Sequence, residues 1–134
     1  APMADCDLDG VVIPALVAEH QPNARGLRVR LVGVSAHGLE FLSDRGYREG
    51  EELDVAYDDG TGRRVACRVR VQRVASPLYG RTRHGCRIVA IAQDEGRRHA
   101  HLVSRLALAE RPPSVPEPAV ERPGRMRRLR LRAS

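Results

Sequence analysis

The chain has no lysine and no tryptophan, and only one phenylalanine and three tyrosines in 134 residues. Its core must therefore be built mostly from Val, Leu, Ile and Ala. No apolar run approaches the roughly 20 residues of a membrane span. The opening APMADCDLDG has no basic start and carries three acids, unlike a secretory signal, so a cytoplasmic protein is the expectation. Cysteine is sparse as well. Cys6, Cys67 and Cys86 are an odd number without CxxC spacing, which is neither a disulfide framework nor a zinc site, and buried or half-buried thiols are expected. P-loop, G-x-S-x-G, HExxH and GxGxxG patterns are all missing. The histidines, His20, His37, His84, His99 and His101, lack metal-ligand spacing and read as exposed, solvated side chains. His37 lies two residues from Ser35, but no third group orients it as a base. Neither a catalytic residue nor a metal ligand can be named, and a non-enzymatic protein is expected.

What is present is arginine. All 23 basic residues are Arg, and their placement is uneven. Residues 111–134 hold seven Arg and two Glu, a net of +5, whereas the other 110 residues hold sixteen Arg and fifteen acids, a net of +1. The nearly neutral body argues against a nucleic-acid-binding domain. The length suits one domain. Residues 1–110 are expected to form it, followed by a Pro-rich linker and Arg-rich tail at 111–134.

Alternation marks the strands. In 64–74, Val65, Cys67, Val69 and Val71 point one way, and Arg64, Arg68, Arg70 and Gln72 the other. Residues 27–35 show the same period of two, which predicts burial of Val29 and Leu31. Further strands are predicted at 11–19, with Pro14 marking an edge or bulge, and at 37–43, 53–58 and 86–92. Asp59-Gly60-Thr61-Gly62 supplies a hairpin turn, and SPLYGRTRHG reads as a loop. Six strands joined by short turns predict an all-β, closed antiparallel barrel. From Asp94, a plausible N-cap, to Glu110 the period becomes helical, with Leu102, Val103, Leu106 and Ala109 on one stripe. One helix should therefore pack on the barrel.

Within this pattern, Val32-Gly33-Val34-Ser35-Ala36-His37-Gly38-Leu39-Glu40-Phe41 resembles the D/N-x-S-x-x-G segment of PilZ domains, and the likeness extends over residues 11–109. The resemblance implies a six-stranded barrel with a C-terminal helix, in a family many of whose members bind cyclic di-GMP. It implies Ser35 and Gly38 as ligand-binding residues: Gly38 for close backbone approach, Ser35 for its hydroxyl. The alternative is that the two residues only shape a bend between strands. The departures are as informative. The acidic or amide position falls on Gly33, and the R-x-x-x-R expected before the first strand meets Ala4-Asp5-Cys6-Asp7-Leu8-Asp9 instead. Arginine pairs serve there because guanidinium grips phosphate bidentately.

Three functions follow in order. The first is an adaptor of the cyclic di-GMP network that docks on an unknown partner protein, with the nucleotide site degenerate. The second is a working receptor in which Arg128 and Arg132 of the tail replace the missing pair. The third is a polyanion binder using the tail, although the tail lacks the aromatics that stack on bases. The other R-x-x-x-R spacings, Arg64…Arg68 and Arg83…Arg87, read as solvated strand faces.

Overall fold

The computed structural model of the chain describes residues 3–78 and 80–109. Six strands, β1 (Ala4–Pro14), β2 (Leu27–Ser35), β3 (Gly38–Ser43), β4 (Glu52–Asp58), β5 (Arg64–Leu78) and β6 (Arg81–Ile91), close in the order β1-β2-β3-β6-β5-β4. Every neighbouring pair is antiparallel, the two ends of that order included, so no edge is left open. A short helix α1 (Ala15–His20) follows β1, and α2 (Gln93–Ala109) follows β6.

The core is aliphatic, as the composition requires. Val29, Leu31, Val65, Val69 and Val71 are all buried, together with Leu39, Leu53, Val55 and the rings of Phe41 and Tyr57. Cys67 and Cys86 are buried, and burial pushes both thiols up to about 12; Cys6 is half-buried. Arg70 faces outward and donates to Glu52 at 2.7 Å. Arg68, expected to be exposed, is half-buried because Asp54 and Glu19, each 2.9 Å away, hold it against the wall.

The first strand lies elsewhere than 11–19. It starts at Ala4, because Asp5, Asp7 and Asp9 alternate outward while Cys6 and Leu8 pack against the core. Arg30 on β2 bridges Asp7 and Asp9, 3.2 Å from each. Pro14 ends the strand, since it offers no N–H to the ladder, and the chain turns into α1 with Ala15 buried. The stretch expected as a loop at 76–85 is the end of β5, a tight turn with Gly80 at φ 80°, and the start of β6.

Two histidines are buried rather than solvated. His84 of β6 stacks on Phe41 with ring centroids 4.6 Å apart, and its Nε2 accepts from the Tyr47 N–H at 2.9 Å. His99 of α2 is only 2 % exposed. Burial lowers the pKa of each ring, which stays neutral near pH 7.

Helix α2 caps the barrel mouth formed by the β2–β3 turn and the β4–β5 hairpin. It begins one residue before Asp94, which therefore sits in the first turn and pairs with Arg97 instead of capping. Leu102 is buried, and Val103 and Leu106 pack on the core. Glu95 accepts from the Ala66 N–H at 2.7 Å, and Arg105 donates to the Asp59 carbonyl at 2.6 Å. That hairpin needs Gly60 and Gly62, both at positive φ (89° and 87°), while Asp59 accepts from the Thr61 N–H and hydroxyl.

Candidate functional site

The site is built on the β2–β3 turn. Ser35 and Gly38 are cross-strand partners, so Ala36 and His37 form a two-residue loop between them. Gly38 crosses β6 so closely that a Cβ there would land on the Cys86 carbonyl oxygen. The Ser35 carbonyl accepts from His99 Nε2 at 2.7 Å. A carbonyl cannot donate, so Nε2 carries the proton and Nδ1 accepts from the Tyr57 hydroxyl. The turn is thereby tied to α2 and to the core by one buried imidazole.

Beside the turn an open cavity of about 360 Å³ is lined by Met3, Ser35, His37, Gln72, Arg73 and Arg87 among others. Register explains the grouping. Gly38, Arg87 and Arg70 stand in one cross-strand row over β3, β6 and β5, and Glu40, Gly85 and Arg73 stand in the next. Arg73 lies flat over Gly85: a Cβ on that glycine would be 3.2 Å from its Nε and Nη2. Its guanidinium reaches Glu40 at 3.3 Å, and Arg83 takes the same carboxylate at 2.7 Å. Arg87 is exposed and has no ion-pair or hydrogen-bond partner among the described residues. Gly33 is covered, since a Cβ there would stand 2.6 Å from Met3 Cγ.

Ser35 and Gly38 thus meet at one turn, as expected, whereas Arg128 and Arg132 lie outside the described residues. The acidic segment is displaced from the expected place. Ala4–Asp9 is part of β1, so the position just before the first strand falls at Met3. Sequence reasoning missed Arg73 and Gln72 and set Arg87 aside as a solvated face. The spacing Arg83…Arg87 was visible, but pairing of Arg87 with Gly38 is a matter of register, which one sequence does not display.

A larger apolar groove of about 640 Å³ runs over β1, β4, β5 and β6, with Val11, Ile13, Ala56, Ala66 and Ala90 among its lining residues. Among the described residues no three His, Cys, Asp or Glu side chains cluster as metal ligands, and no helix is long and apolar enough to cross a membrane.

No family model and no curated protein sequence matches the chain. Solved structures do. The MotI/DgrA inhibitor of motility from Bacillus subtilis superposes with a TM-score of 0.63 at 17% identity, covering 83% of this chain and 52% of that one. The PilZ domain of YcgR from Escherichia coli, solved with c-di-GMP, gives a TM-score of 0.62 at 14% identity, over 81% of this chain and 90% of that domain. The fold is that of a PilZ domain. MrkH of K. pneumonia in its apo state gives 0.61 at 13% identity, over 79% of this chain and 49% of that one. This PilZ-type barrel therefore spans about half the length of MotI/DgrA and MrkH, and nearly all of the isolated YcgR domain.

Proposed function

We propose that the chain is a non-enzymatic signalling domain of the cyclic di-GMP network that receives the nucleotide at the Ser35–Gly38 turn. The observation that carries this reading is the open cavity at that turn, with the Ser35 hydroxyl, the approach over Gly38 and arginines on the neighbouring strands. The solved YcgR domain with c-di-GMP supports it through the shared fold. The acidic segment weighs less against it, because its aspartates belong to β1 and Arg30 bridges two of them. The domain proper ends near residue 110, and the 111–134 tail brings Arg128 and Arg132 as further cations for the second phosphate. Signal output goes to a partner protein, in the cytoplasm.

One observation favours the adaptor reading instead. Met3 fills the space beside Gly33, where an acidic or amide side chain would meet a guanine edge. An adaptor would keep the barrel and its partner contacts and have no use for nucleotide. Calorimetry on the full chain separates the two. Saturable binding of c-di-GMP, with GMP failing to compete at equal concentration, is the expected result. No heat at millimolar c-di-GMP would end the receptor reading and leave the adaptor. A receptor in which Arg128→Ala and Arg132→Ala together change nothing would remove the tail from the site.

A further inference from the structure

Four arginines crowd the outer face of β5 and β6 near the turn, and three of them are already engaged. Arg70 is held by Glu52, and Arg73 and Arg83 share Glu40. Arg87 has no acid, and it is the cross-strand partner of Gly38. We infer that Arg87 is the phosphate-gripping residue of this site, with Arg73 flanking it, so that the barrel wall itself supplies the cation. The inference rests on the receptor reading.

Three features make the position suitable. Arg87 and Ser35 line the same cavity, so a phosphate between them meets both a guanidinium and a hydroxyl. The close approach of Gly38 to the Cys86 carbonyl sets the Ser35–Gly38 turn directly against β6, beside Arg87. Arg73 is aimed by its contact with Glu40 and lies across Gly85, adding positive potential without needing to move. A free guanidinium offers two parallel N–H donors to a phosphodiester, a geometry that an ammonium cannot reproduce.

The test titrates the full chain with c-di-GMP and, in a second arm, with cyclic di-AMP, which has the same phosphodiester ring but different bases. Arg87→Ala should weaken c-di-GMP binding about 10- to 100-fold, the usual effect of losing a charge-assisted contact. Arg87→Lys should recover only part of it. Arg70→Ala, one strand further along the same row but already paired, should change affinity by less than about 3-fold. Residual cyclic di-AMP binding should lose affinity with Arg87→Ala in the same proportion, since the contact is to phosphate. If the wild type binds and Arg87→Ala binds equally well, the inference falls while the receptor reading stands. Equal losses for Arg70→Ala and Arg87→Ala would show a general charge effect and also overturn it. If the wild type binds neither nucleotide at millimolar concentration, both fall.

Discussion

His99 is the residue whose loss should be felt most widely, because it satisfies two buried groups at once. Tyr57 is fully buried, and Ser35 and His99 are 8 % and 2 % exposed, so water cannot replace the imidazole at either end. His99→Leu keeps an apolar side chain of similar size but orphans both the Tyr57 hydroxyl and the Ser35 carbonyl. A buried polar group left without a partner costs about 1–3 kcal/mol, so the variant should lose about 2–6 kcal/mol. That is a large share of the roughly 5–15 kcal/mol that holds a domain of this size together. Tyr57→Phe orphans only Nδ1 and should lose about 1–3 kcal/mol. In the double variant the hydroxyl and the imidazole disappear together, leaving the Ser35 carbonyl alone unpartnered. The two single losses together should then exceed the double loss by two orphaned groups, about 2–6 kcal/mol. Urea unfolding of the four proteins, followed by circular dichroism, gives the cycle directly. Strict additivity would refute the link between helix α2, the core and the β2–β3 turn.

Burial lowers the pKa of both His84 and His99 relative to their unfolded value near 6.5. Their contribution to stability is therefore fully present above about pH 6.5 and is lost as pH falls through the lowered values. The melting temperature should hold between about pH 7 and 8 and drop below about 6.5, and replacing His99 should shrink the drop; a flat profile would contradict the buried, neutral imidazoles. Val69→Asp, which places a carboxylate in the fully buried wall of β5, should unfold the domain, whereas Arg70→Asp beside it should cost about 1 kcal/mol or less. Thermal melts compare the two, and equal values would mean that the facing of β5 is wrong. Gly38→Ala sets a methyl group against the Cys86 carbonyl and should destabilise by about 1–3 kcal/mol, while Ser35→Ala should leave the melt nearly unchanged. A Gly38→Ala protein as stable as the wild type would show that β3 and β6 do not approach so closely.

Much of the barrel was legible because one-sided burial leaves a period of two. Val65 to Val71 and Leu27 to Leu31 displayed it plainly. The same signal was present in Ala4–Asp9, where Cys6 and Leu8 alternate with aspartates, but the acids suggested solvent and the denser apolar run at 11–19 drew the strand onto itself. Pro14 in fact divides that run into strand and helix. At 76–85 the Ser-Pro and Gly residues suggested a loop, yet His84, Cys86 and Ile88 carry the inward period. His99 likewise stands on the stripe of Leu102, Val103 and Leu106. Histidine is amphipathic, so its burial was not decided by type. The turn at Ser35–Gly38 was readable as a motif. The placement of Arg87 beside Gly38 was not, because it depends on which strand lies next to β3, and closure places β6 there instead of β4.

The proposed reception of c-di-GMP at the β2–β3 turn is open to a direct test. Amide ¹H–¹⁵N spectra of the full chain, recorded through a c-di-GMP titration, test it residue by residue. Saturable shifts should concentrate at Ser35 to Gly38 and at Gly85 to Ile88, with His99 following through its bond to the Ser35 carbonyl. Spectra unchanged at millimolar ligand, or shifts confined to the apolar groove around Ala56 and Ala66, would rule it out.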